Sequence, residues 1–185
     1  MKIAVFCGSS TGNNIKYINA TKELGKFFAQ NKIDVVYGGG NVGLMGAIAD
    51  SVMDNGGKVY GVIPEKLQEK ELAHEGITEL KVVSNMHERK AAMAELADAF
   101  VVLPGGAGTL EEIFEVWTWA QLGFHNKPCA FFNVNGFYDK LFEMIDHMCA
   151  EKFLKQEHYD MLIKTDNQEK LLEALKEYTP PKHKW

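Results

Sequence analysis

Residues 99–120 read AFVVLPGGAGTLEEIFEVWTWA, and this stretch decides the fold. It opens with a continuous apolar run, breaks at a proline and three glycines, and resumes with a helical period. Leu110, Ile113, Phe114 and Trp117 fall at i, i+3, i+4 and i+7, which makes one apolar helix stripe. A run without polar alternation suits a strand covered on both faces, as parallel sheets require. The unit is therefore strand, glycine turn, crossover helix.

The same unit recurs along the chain. Apolar, β-branched runs stand at 2–6, 33–37, 58–63, 80–83, 99–103, 129–133 and 160–164. Helical patterns occupy roughly 14–30, 43–55, 87–97, 109–122, 137–150 and 167–178 between them. Seven strands alternating with about six helices predict an α/β, Rossmann-like three-layer sandwich with a mostly parallel sheet. At 185 residues the chain fits a single nucleotide-monophosphate-binding domain over 1–185. Segment 64–79 (PEKLQEKELAHEGITE) is highly charged and lacks a strand signal, so it is either a helix or a loop crossing the active edge.

Composition removes several classes of function. Net charge is -5 and the one basic cluster is the tail PPKHKW, too short for a nucleic-acid footprint. The longest apolar runs fall well short of the about 18 residues a membrane span needs. Cys7, Cys129 and Cys149 fit neither a disulfide framework nor a zinc site, and incidental or structural roles are expected. The N-terminus MKIAVFCGSS lacks a signal-peptide core and reads as a first strand ending in a glycine turn. The expectation is a soluble cytoplasmic protein that needs no metal or cofactor.

Open parallel sheets bind ligands at the carboxyl ends of their strands. Four such ends carry distinctive residues: CGSSTGNN (7–14), GGGNVGLMG (38–46), SNMHERK (84–90) and PGGAGTLEE (104–112). Ser9, Gly39 and Gly40 stand at the first two and are counted among the substrate contacts. GGGNVG follows the second strand, and no acidic residue closes the next strand, so a dinucleotide fingerprint is not met. Neither glycine segment continues into Lys-Ser or Lys-Thr, which excludes a P-loop.

PGGAGT is suited to one phosphate. Gly105, Gly106 and Gly108 let backbone amides converge, and Thr109 stands where a helix begins. Adjacent helical residues point about 100° apart, so one of Glu111 and Glu112 at most should face a ligand. Glu111 is the better candidate for solvent or for capping. A carboxylate beside a phosphate site accepts from sugar hydroxyls or stabilises positive charge at an anomeric carbon. Arg89 and Lys90 stand at a helix start, against the usual preference of basic residues, which points to an anionic ligand. The bland alternative is a salt bridge to Glu88, Glu95 or Glu112. His87 is as plausibly a neighbour of the cap as a proton carrier.

With these segments in hand, the chain resembles the LOG family of cytokinin riboside 5'-monophosphate phosphoribohydrolases, proteins long mislabelled as lysine decarboxylases. The family pattern PGGxGTxxE is complete over 104–112, the run Met86–His87–Glu88–Arg89–Lys90–Ala91 is intact, and GGGNVGLMG matches a third element. The resemblance spans about residues 2–180. It implies hydrolysis of the N-glycosidic bond of adenine-type nucleoside 5'-monophosphates, with Arg89 and Glu112 as the catalytic pair. It places substrate contacts at Lys90, Gly105, Gly106, Gly108 and Thr109, and a further one at Glu71. The surroundings of Glu71, QEKELAHEG, depart from the family's pattern and leave base preference open. Family members form homodimers, and TWAQLGFHNKP (118–128) offers exposed aromatics for such contact. Met93 and Trp119, contributed across the dimer by the second subunit, are candidates for the wall of a pocket taking an apolar base substituent. The alternative reading is a non-catalytic nucleotide-binding or signalling protein. The small-molecule nucleotide is the expected partner in either case.

Overall fold

The computed structural model describes residues 1–68 and 72–181. The elements run β1 (Lys2–Phe6), α1 (Ile15–Gln30), β2 (Asp34–Tyr37), α2 (Gly43–Asp54), β3 (Val59–Pro64), β4 (Glu79–Val83), α3 (Met86–Leu96), β5 (Ala99–Val102), α4 (Ala107–Gln121), β6 (Cys129–Phe132), α5 (Asp139–Ala150), α6 (Gln156–Tyr159), β7 (Leu162–Thr165) and α7 (Gln168–Glu177). The seven strands form one sheet in the order β4-β3-β2-β1-β5-β6-β7. Every pairing in it is parallel, so the expected "mostly parallel" sheet is parallel throughout the described strands.

Side-chain alternation divides each apolar strand between two cores. On β1, Ile3 and Val5 join Leu24 and Phe28 of α1, Ile48 of α2 and Leu171 of α7. Ala4 and Phe6 point the other way, to Met93 of α3 and to Ile113, Val116 and Trp117 of α4. This is the period-2 geometry of a strand applied to a run with no polar member. Fully burying each such large side chain contributes about 1.5–3 kcal/mol, which is why so little polar patterning survives in these strands. Trp117 also meets the polar demand of its indole, donating to the His158 carbonyl at 3.0 Å.

Strand order reverses between β1 and β5. From β1 the chain first builds outward through β2, β3 and β4, then returns to the other side for β5, β6 and β7. The loops after β1 and β5 therefore diverge to opposite faces and leave a crevice between them.

The described part of segment 64–79 follows β3 with a 3-10 turn at Glu65–Leu67. Its later part is stitched to the loop after β2. The Asn41 N–H donates to the Leu72 carbonyl and the His74 N–H to the Gly39 carbonyl, both at 2.9 Å, and Gly40 bridges Ala73. His74 is buried and bonds Asp50 of α2 at 2.9 Å through Nε2. Its Nδ1 accepts the Gly76 N–H at 3.1 Å, so the ring serves structure.

Candidate active site

Three loops interlock at the crevice. The Gly8 N–H donates to the Pro104 carbonyl at 3.0 Å, joining the ends of β1 and β5. The Leu44 N–H donates to the Gly8 carbonyl at 3.0 Å, bringing in the start of α2. Gly43 has φ +57° and lies against the backbone of Ser9 and Ser10, so any side chain there would collide with the β1 loop. A cleft of about 390 Å³ opens above this junction. Its walls are Ser9, Arg89, residues 106–109, Glu111 and Glu112, with Cys7 as floor.

The glycines of PGGAGT have different tasks. Gly105 packs against the buried Thr109 side chain, leaving no room for a methyl group. Gly106 is the N-cap of α4 and has no capping side chain. The first helical bond runs from the Leu110 N–H to the Gly106 carbonyl, so the amides of Ala107, Gly108 and Thr109 lack intrahelical acceptors. Space beside Gly106 and Gly108 is open. Bare amides at a helix N-terminus, facing a cleft, form an anion site without a basic side chain. The helix starts two residues earlier than Thr109, whose side chain supports the turn.

Arg89 is delivered by the capped start of α3. Asn85 accepts from the Glu88 N–H at 2.9 Å, and Glu88 in turn accepts from the Ser84 N–H at 3.0 Å and the Ser84 hydroxyl at 2.6 Å. This reciprocal cap frees the next residue to turn inward. Arg89 is only 4% exposed and its Nη2 donates to the Gly38 carbonyl at 3.0 Å. A Cβ on Gly38 would overlap that guanidinium, so Gly38 is the seat on which the arginine rests. Glu112, half-buried, lines the same cleft. Burial pushes the Cys7 thiol well above its ordinary value, the Glu112 charge raises it further, and Arg89 opposes them. The cleft floor is thus a neutral thiol within electrostatic reach of both charged groups.

The remaining candidate residues lie as follows. Ser9 lines the cleft. Gly105 faces a second hollow of about 330 Å³ that shares Gly8, Ser9 and Gly106 and ends at the rings of Tyr17 and Phe137. Gly39 and Gly40 hold segment 72–74 through the backbone. Glu71 lies outside the described residues. Lys90 is buried between α3 and α4, with Nζ 2.5 Å from Glu111 Oε1 and 3.0 Å from Glu115 Oε2. Burial lowers its pKa, but the bonds and charges of the two carboxylates outweigh burial and hold it above the ordinary lysine value. Glu111 is exposed, as the sequence suggested, and is an ion-pair partner and a cleft residue besides. Met93 is 1% exposed inside the core, so it forms no pocket wall, and His87 is exposed. Cys7, Met45, Leu67 and Met86, which carry no catalytic pattern in the sequence, complete the cleft. Among the described residues no cluster of three or more His, Cys, Asp or Glu is placed to hold a metal ion.

Comparison with known proteins gives the family. Residues 45–175 match the family described as "Possible lysine decarboxylase". The chain is 48% identical to the probable cytokinin riboside 5'-monophosphate phosphoribohydrolase LOGL9 of Oryza sativa subsp. japonica, over 97% of this chain and 79% of that protein. It is 46% identical to the cytokinin riboside 5'-monophosphate phosphoribohydrolase LOG1 of Arabidopsis thaliana, over 97% of this chain and 84% of that one. The Moco carrier protein of Chlamydomonas reinhardtii superposes with a TM-score of 0.70 at 18% identity, covering 95% of this chain and 94% of its own. That last likeness is one of fold. With a full PGGxGTxxE turn at the switch point and this identity across nearly its whole length, the chain belongs to the LOG family.

Proposed function

We propose that the protein hydrolyses the N-glycosidic bond of adenine-type nucleoside 5'-monophosphates, cytokinin riboside 5'-monophosphates and AMP, to free base and ribose 5-phosphate. The observation that carries this reading is the pairing of a bare helix N-terminus with a carboxylate one turn further on, in one cleft, opposite a buried arginine. The identity to named phosphoribohydrolases supports it.

The amides of residues 107–109 hold the 5'-phosphate, and that remote binding energy positions the sugar. Glu112 accepts from ribose hydroxyls and stabilises the oxocarbenium-like state as the bond from the anomeric carbon to the base breaks. Arg89 donates to the departing base, whose nitrogen takes up the bond's electron pair. Water then supplies hydroxide to the anomeric carbon and a proton to the base, which balances the reaction. Ser9 borders the phosphate end of the cleft, with Gly105 and Thr109 shaping the turn beneath it.

The decarboxylase description requires a lysine that forms a Schiff base with a carbonyl cofactor. Lys90 is the lysine of these motifs, and two carboxylates hold it as an ammonium ion, the form that cannot attack. The stronger rival is a module that binds the nucleotide without turnover.

Replacing Glu112 separates the two. Glu112→Ala should lower base release from AMP by about 10²–10³-fold or more while ribose 5-phosphate still binds, as calorimetry would show. Undiminished turnover would remove Glu112 from the mechanism, and a wild-type protein that binds AMP without releasing adenine would establish the binding module. The protein acts in the cytoplasm, in keeping with three unpaired cysteines. It works as a homodimer, for which the 74% exposure of Phe124 is the supporting feature, and sedimentation would give its mass.

A further inference from the structure

Each residue of the reacting pair has a chain neighbour engaged in an ion pair between the two helices. Next to Arg89 stands Lys90, and next to Glu112 stands Glu111. Lys90 is 7% exposed, and its ammonium meets Glu111 at 2.5 Å and Glu115 at 3.0 Å. Glu111 and Glu115 are four apart on α4, so both lie on one side of that helix. The bond therefore joins the first turn and a half of α3 to the first turns of α4. Arg89 and Glu112, one residue away on each helix, border the cleft; Lys90 is absent from its walls.

We propose that Lys90 is a positioning residue, an ionic clasp with Glu111 and Glu115 that sets Arg89 against Glu112, rather than a contact of the substrate phosphate. A buried ammonium costs several kcal/mol unless it is paired and hydrogen-bonded, and here both partners come from the other helix. The clasp thus ties the position of the arginine to that of the phosphate turn at the start of α4. The phosphate site is complete without it, because the amides of residues 107–109 supply the donors. This inference rests on the roles given above to Arg89 and Glu112.

The test is steady-state kinetics on AMP with wild type, Lys90→Met, Lys90→Arg, Glu115→Gln and the Lys90→Met/Glu115→Gln double variant. Affinity for ribose 5-phosphate is measured in parallel. Disturbing the register of reacting groups should lower kcat by about 10- to 100-fold, with KM and ribose 5-phosphate affinity within about twofold of wild type. Glu115→Gln should show the same kcat-selective loss, Lys90→Arg should recover part of it, and the double variant should be no worse than the poorer single one. A Lys90→Met variant that raises KM and weakens ribose 5-phosphate tenfold or more, beside a silent Glu115→Gln, would place Lys90 on the phosphate and overturn the clasp. So would unchanged kinetics in all variants. If Lys90→Met does not fold, the kcat loss and unchanged ribose 5-phosphate affinity of Glu115→Gln decide the matter from the other helix. Absence of base release by the wild type would instead mark the failure of the hydrolase reading.

Discussion

Gly38 and Gly108 lack a side chain for opposite reasons, and the difference is measurable. At Gly38 the missing Cβ is the space occupied by the Arg89 guanidinium. At Gly108 nothing approaches within 4 Å, and the space belongs to the cleft. Gly38→Ala should therefore unseat the arginine and lower kcat. Gly108→Ala should stabilise the helix by about 0.5–1 kcal/mol while raising KM, because the methyl group would intrude on the proposed phosphate site. Thermal melts and kinetics on the two variants check both statements. A Gly108→Ala protein with unchanged KM would remove the phosphate from that turn. The glycine turn and the helix start behind it were legible in the sequence because glycine spacing and helical period are local properties. The seat of Arg89 was not, since Gly38 and Arg89 meet only through the fold.

At the scale of the element, α3 shows how a motif divides its labour. In the run 84–90, Ser84, Asn85 and Glu88 build the cap, Arg89 enters the cleft and Lys90 crosses to α4. Hydrogen bonds from the Ser84 hydroxyl and N–H hold the Glu88 carboxyl below its ordinary 4.5. A depressed folded-state pKa contributes stability that is fully present above 4.5 and is lost as pH falls through the lower folded value. The melting-temperature gap between wild type and Glu88→Ala should thus be present at about pH 6 and close toward about pH 3. A gap unchanged at acid pH would mean that the charge contributes nothing to the cap. Strands and crossover helices were readable because their patterns lie within single windows. Segment 64–79 was ambiguous because residues 72–74 are held from outside it, through backbone bonds to 39–41 and the His74–Asp50 contact. The partners of Lys90 were misjudged for a similar reason: the register of α3 against α4 has no local signal. The short α6 has too few residues to show a period.

For the whole molecule, the site follows from sheet order. Reversal at β1 and β5 brings the first strand's CGS and the fifth strand's PGGAGT into backbone contact, although about a hundred positions separate them in the chain. The β2 loop and α3 then supply the arginine from the same edge. At the centre of the proposed function, the phosphate would be held at the start of α4 with the bond to the base between Glu112 and Arg89. Base release from AMP, from N6-isopentenyladenosine monophosphate and from adenosine, measured side by side, tests it most directly. The two monophosphates should yield free base and ribose 5-phosphate in equal amounts. Adenosine should fall about 10³-fold or more in kcat/KM, since it forgoes the binding energy that positions the sugar. Cleavage of adenosine as efficiently as AMP would contradict the claim.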